Sequence, residues 1–210
     1  MTAGRPAPDE EMHDGEVTVP RLAATVLLLR GGTGRLEVLL VQRTLRARFM
    51  AGAWVFPGGA VDPSDGTGQA GLRAAAVREV REEAGVDLGP DPELVTFSNW
   101  ITPTAVKIRF DTWFYLTAMP ADQEPRVDGR EVVDARWLTP SDAVAAAAAG
   151  EMAIVFPTVK HLERIAGYRS ATELLADARG LTVEPVEPRV IGTCEQARIV
   201  LPGEPGYDAD

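Results

Sequence analysis

One α/β (or α+β) domain, built on a mixed β-sheet with helices on its faces, is what this sequence predicts. Runs of strand length that are apolar, aromatic or β-branched lie at 21–30, 36–43, 93–101, 109–118 and 132–138. Between and after them stand stretches of helix composition at 72–84, 139–150, 158–166 and 171–179. The chain has 210 residues, 45% of them hydrophobic, which is enough for one sizeable core and short of two, and it contains no internal repeat. The expected organisation is a polar leader over 1–19 that stays disordered, a domain over 20–180, and a Pro/Glu-rich extension over 181–210.

In order along the chain, RLAATVLLLR (21–30) reads as a buried strand, GGTG (31–34) as a hairpin turn and LEVLLVQR (36–43) as the returning strand. The Gly cluster lacks the Gly-Lys-Ser/Thr ending of a phosphate-binding P-loop. WVF (54–56) runs into Pro57-Gly58-Gly59, and 60–71 reads as a loop. The helix from Leu72 to Ala84 is rich in alanine and valine and stops at Gly85. Thr139 is the expected N-cap of the next helix, Pro140 its first position and Gly150 its end. Ser170 and Glu173 have capping-box spacing for the last helix, and two short strands are expected around Val190 and Ile199.

A net charge of −10 argues against a nucleic-acid backbone or an anionic membrane as main partner. It leaves a small anionic substrate open, because a bound metal inverts local charge. No apolar run reaches membrane-spanning length. Cys194 is the single cysteine, so an internal disulfide is impossible, and a reducing cytoplasm is the expected location. Of two histidines, His13 lies in the leader and His161 is expected on a helix near the edge of the core. A homodimer is compatible with these properties, which do not specify the oligomeric state.

The segment REVREEAGV (78–86) is the most informative. On a helix, Glu79, Glu82 and Glu83 are related by i,i+3 and i,i+4 steps and fall toward one face. Two such charges ~6 Å apart repel by roughly 3 kcal/mol at an effective dielectric near 20. Splayed into water with Arg78 as partner, they would be an ordinary solvated face. Gathered around a hard divalent cation, they would be oxygen ligands whose repulsion the metal removes. Phe56-Pro57-Gly58-Gly59 precedes the helix, and backbone there can approach a ligand closely. Metal, carboxylates and water are the equipment of phosphate chemistry.

These residues resemble the Nudix box, Gly-x5-Glu-x7-Arg-Glu-U-x-Glu-Glu-x-Gly-U with U aliphatic. Its second half is matched by Arg78, Glu79, Val80, Glu82, Glu83, Gly85 and Val86. Its first half departs: no glutamate lies between Gly59 and Glu79, and DPSDGTGQAG (62–71) carries an insertion. Asp62 and Asp65 are read as turn residues of a surface insertion, with replacement of the missing glutamate by one of them as the alternative. The resemblance, over about 20–165, implies an α/β/α sandwich and hydrolysis of a nucleoside diphosphate linked to another group, with Mg²⁺ or Mn²⁺. It further implies Glu79, Glu82, Glu83 and the Gly59 carbonyl as metal ligands, and Arg78 as the residue that orients the glutamates. Glu131, six residues before Trp137, is a candidate ligand or water-activating base.

Upstream, LLVQRTLRARFMAGAWVFPGG (39–59) resembles the signature of coenzyme A–hydrolysing Nudix enzymes through Leu39, Leu40, Arg43, Arg48, Gly52 and Phe56 to Gly59. Val41 and Thr44 depart from it. Arg43, Arg46 and Arg48 form a basic patch in an acidic protein, and guanidinium forks suit phosphate oxygens. Arg43, Arg48 and Gly58 are the expected substrate contacts; covering strand ends or pairing local acids is the ordinary alternative for the arginines. The expected function is metal-dependent hydrolysis of coenzyme A or an acyl-coenzyme A. Its rivals are the same chemistry on ADP-ribose, NADH or a damaged nucleotide, and a non-catalytic nucleotide-binding module.

Overall fold

The computed structural model describes residues 15, 17–47, 50–192 and 197–208. The expected leader, except Gly15 and residues 17–19, therefore lies outside the described residues, as do His13, Arg48 and Cys194. The strands are β1 (Arg21–Arg30), β2 (Glu37–Arg43), β3 (Trp54–Val55), β4 (Gly58–Ala60), β5 (Val95–Ile101), β6 (Phe110–Ala118), β7 (Val132–Leu138), β8 (Pro185–Val186), β9 (Arg189–Ile191) and β10 (Arg198–Val200). The helices are α1 (Gly68–Ala84), α2 (Pro140–Ala148), α3 (Phe156–Ile165) and α4 (Ala171–Ala178).

The main sheet is mixed and runs β3-β2-β1-β6-β5-β8. β1 pairs parallel with β6 from Arg21↔Phe110 to Leu29↔Ala118, and antiparallel with β4 over Ala23 to Thr25. It meets β2 only at Leu29↔Val38 and Arg30↔Glu37, so the two strands form a hairpin that splays open. β2 continues the sheet toward β7 and β3. In the opened corner, β4 delivers Gly58 and Gly59 to the start of β1.

Both sheet faces are buried over most of β1, which explains why its run from Val26 to Leu29 is apolar rather than alternating. Its even positions Ala24, Val26 and Leu28 join Leu72, Ala75, Ala76 and Val80 of α1 in one cluster. Its odd positions Leu27 and Leu29 join Phe97, Leu116, Leu162, Ile165 and Leu174 in the other. The result is the expected α/β/α sandwich. Each fully buried Leu or Ile contributes roughly 1.5–3 kcal/mol.

Three sequence expectations are corrected. α1 begins at Gly68, inside the stretch read as loop, because a long helix already nucleated extends cheaply through weak helix formers. α3 begins at Phe156 rather than residue 158, with Pro157 in the first turn, where its missing N–H costs nothing. The expected box at α4 is only half formed. The Ser170 hydroxyl accepts from the Glu173 N–H at 3.2 Å, but the Glu173 carboxylate accepts from Arg169 instead. At α2, Thr139 caps as expected, accepting from the Asp142 N–H at 3.2 Å.

His161 lies in the core, not at its edge: 2% exposed, stacked on Phe114 at 4.1 Å between ring centroids, with Trp100 at 5.3 Å. Both ring nitrogens have partners, Ser98 Oγ and the Pro157 carbonyl, which is why a polar ring is tolerated there. Burial lowers its pKa to about 4. The unfolded chain protonates this imidazole near pH 6.5 while the folded one resists. Stability from this group is therefore complete above about pH 6.5 and falls by roughly 3 kcal/mol as pH drops to 4. Urea denaturation at pH 7.5 and 4.5 checks it: His161→Gln should remove this part of the acid sensitivity. An unchanged difference between the two pH values would refute it.

Candidate active site

The buried stripe of α1 runs through Leu72, Ala75, Ala76, Val80, Glu83 and Ala84. This periodicity separates the three glutamates. Glu83 and Glu79 fall on or beside the stripe, with side chains 3% and 12% exposed, whereas the Glu82 side chain is 58% exposed. The three carboxylates therefore do not form one equivalent set: two are held inward and Glu82 sits at the rim.

Each inward carboxylate is fixed by named contacts. The Gly58 N–H donates to Glu83 Oε2 at 2.9 Å, and the Arg43 guanidinium lies 3.8 Å from Glu83 Oε1. Gly58, an expected substrate contact, thus has its N–H committed to Glu83. Glu79 lies against Gly59 so closely that a Cβ there would sit 2.3 Å from its Oε1, so any other residue would push the carboxylate out of this position. Gly85 ends the helix in the left-handed conformation, φ 64°, its N–H donating to the Arg81 carbonyl.

Arg78 is the hub. It donates to Glu79 Oε1 at 2.8 Å, to Glu82 Oε2 at 3.0 Å and to the Ala60 carbonyl at 3.0 Å. It also forks onto Asp65, Nε to Oδ1 at 3.0 Å and Nη2 to Oδ2 at 2.8 Å. This role of Asp65 was not expected: its side chain is 6% exposed, while that of Asp62 is 55% exposed and 3.9 Å from Arg78. A 3₁₀ turn at Pro63–Asp65 makes the approach possible, with the Asp62 N–H donating to Asp65 Oδ2 at 2.8 Å. The Asp62-x-x-Asp65 capping-box spacing was the available sequence signal. The Arg78 hydrogen bond holds the Asp65 carboxyl below its usual range, and the Arg78 pKa is pushed up by the same bond.

Burial raises the pKa of Glu79 and takes that of Glu83 up to about 7, and the neighbouring carboxylates, Glu131 among them, add to both shifts. Glu79, Glu83 and Glu131 line one cavity of about 400 Å³, together with Arg43, Gly58 and Gly59. Among the described residues no three acidic or imidazole side chains are close enough to enclose an ion already. The donor set nonetheless suits a hard cation: its side chains offer oxygen only, and among the described residues Arg43 and Arg78 are paired with them. Arg46 is not part of the cavity wall, so the expected basic patch contributes Arg43 alone among the described residues. The cavity is also lined by residues the sequence did not mark as site residues, including Arg21 and Trp100.

A profile of the NUDIX domain matches residues 19–159. A Caenorhabditis elegans protein named as a nudix hydrolase is 31% identical, covering 92% of this chain and 77% of that one. An acyl-coenzyme A diphosphatase of Xenopus laevis, NUDT19, is 23% identical over 86% of this chain and 74% of its own length. Among solved structures, a NUDIX hydrolase from Alicyclobacillus acidocaldarius superposes with a TM-score of 0.68 at 26% identity, covering 77% of this chain and 97% of that one.

Proposed function

The chain belongs to the NUDIX family of hydrolases, and from that premise we propose that it cleaves the diphosphate of coenzyme A or an acyl-coenzyme A. The products are 3′,5′-ADP and 4′-phosphopantetheine, acylated where the substrate is. The observation that carries this reading is a cavity lined by two chemically different sets of side chains. Glu79, Glu83, Glu131, Arg43 and Arg21 supply its charge; Trp100, Phe110 and Phe156 supply aromatic surface. A diphosphate joined to a long uncharged arm matches that division. The likeness to a protein named as an acyl-coenzyme A diphosphatase supports the same assignment.

In this reading Glu79 and Glu83, with Glu82 from the rim and the Gly59 carbonyl, would hold Mg²⁺ or Mn²⁺. The bound cation supplies neutralisation of phosphate charge and orientation of the diphosphate. Arg78 fixes the direction of Glu79 and touches no substrate atom. Arg43, 3.8 Å from Glu83 and itself lining the cavity, pairs with a phosphate oxygen. Glu131, exposed at the cavity wall, accepts the proton of the attacking water. In this reading the reaction is run in the cytoplasm on a small nucleotide substrate. Among the described residues no helix is long and apolar enough to cross a membrane.

The test is a hydrolysis panel of coenzyme A, dephospho-coenzyme A, ADP-ribose, NADH and nucleoside triphosphates with Mg²⁺ and Mn²⁺. Coenzyme A should give the highest kcat/KM. A higher value for ADP-ribose or NADH would reassign the substrate, and binding without turnover at saturating metal would make the protein a nucleotide-binding module.

A further inference from the structure

The described residues of 181–208 are built into the fold. β8 pairs parallel with β5 at Asn99↔Pro185 and Trp100↔Val186, extending the sheet at the edge that lines the cavity. Immediately after it, Glu187 receives Arg109 at 2.6 Å, a pair whose guanidinium is 7% exposed. Arg109 also donates to the carbonyls of Thr102 and Thr18, both at 2.9 Å. Tyr207 closes the arrangement by donating its hydroxyl to the Glu187 carbonyl at 2.9 Å. Between these ties, β9 and β10 pair antiparallel, with Ile199 opposite Val190.

The consequence is that Pro188 and Ile199 form part of the cavity wall. They stand well beyond residue 159, where the match to the NUDIX domain ends. The wall contributed by β5, β6, α3 and this hairpin carries no charged side chain; the cavity's charges come from Arg21, Arg43, Glu79, Glu83 and Glu131. An apolar wall without a fixed charge selects by burial of surface, so its shape decides which uncharged groups fit.

We propose that the C-terminal hairpin is a specificity element of the active-site cavity, with Ile199 and Pro188 contacting the acyl chain carried at the far end of the substrate's uncharged arm. This rests on the coenzyme A reading. Ile199 is half-buried and carries no group that can ligate a metal or move a proton, so it acts on the choice of substrate and not on the chemical step.

Substitution at Ile199 tests this, with kcat/KM measured for free coenzyme A and hexanoyl-coenzyme A, and ADP-ribose as reference. Ile199→Asp places a charge in the wall and should lower the hexanoyl-to-free ratio about tenfold, the equivalent of losing burial of about two methylenes. Free coenzyme A should change less than about threefold on the same scale. Ile199→Trp, which fills the cavity without a charge, should lower the ratio as well, and it serves if the aspartate variant does not fold. Equal effects on both coenzyme A forms would overturn the hairpin's role while leaving the substrate assignment standing. Turnover of ADP-ribose with none of either coenzyme A form would instead overturn the substrate assignment, and this inference with it.

Discussion

Glu83→Gln should lower turnover by about 100- to 1,000-fold without loss of folded structure, the scale seen when one preorganised electrostatic contributor is removed from a transition state. Glu83 is the most deeply buried of the site carboxylates, and its geometry is set by the Gly58 N–H and by Arg43. Glutamine keeps the size and can still accept from the Gly58 N–H, so the local packing survives. What disappears is a charge that burial already disfavours, as its pKa of about 7 indicates. The thermal midpoint should therefore hold or rise. Glu82→Gln is the internal comparison: its side chain is 58% exposed and paired with Arg78, so its loss should be smaller than that of Glu83→Gln. Steady-state kinetics at saturating Mg²⁺, with circular dichroism on the same samples, decides the matter. Near-wild-type turnover for Glu83→Gln would mean that the buried carboxylate is structural and that the reaction is organised elsewhere.

Arg78→Ala should cost both stability and rate. The guanidinium, 22% exposed, neutralises Asp65 and Glu79 together and ties them to the Ala60 carbonyl. Removing it leaves two poorly solvated carboxylates facing each other. Allowing for its partial exposure, the expected destabilisation is roughly 2–3 kcal/mol. Because Glu79 loses its orienting partner, turnover should fall by about 10- to 100-fold, as when outer partners of ligand groups are removed. Asp65→Asn should reproduce a smaller share of both losses, since one fork of the same clamp loses its charge. Asp62→Asn, at an exposed position 3.9 Å from Arg78, should remain within about threefold of wild type. Equal, negligible effects at Asp62 and Asp65 would restore the reading of that segment as a passive surface turn.

The strands and helices were legible because each carries its own local signal. The run at 21–30 is apolar enough for a strand buried on both faces, and Gly85 and Thr139 punctuate helices by their own conformational preferences. The glutamates were legible as a group because helical spacing brings them together. Their division into two inward carboxylates and one at the rim was not. It depends on where the burial stripe of α1 meets the sheet, which is set by how Leu72, Ala76 and Val80 pack on β1 and β2. Asp65 was misjudged for the same reason. Its distance along the chain from Arg78 departs from the expected pattern, and only the 3₁₀ turn shows that the insertion folds back to Arg78. The interior place of His161 likewise follows from the rotation of α3 against Phe97 and Phe114.

By itself the sequence determined the fold class, the segment that bears the carboxylates and the glycines that let a strand approach them. These follow from periodicity, backbone preference and side-chain size, which are properties of neighbouring residues. The tertiary structure alone decided which carboxylates are buried, which acid clamps Arg78, and that residues near the C-terminus close the cavity. Those outcomes depend on contacts between residues far apart in the chain, such as Arg109 with Glu187 and Trp100 with Val186. Such contacts arise from the packing of whole elements, and no local run of residues encodes them.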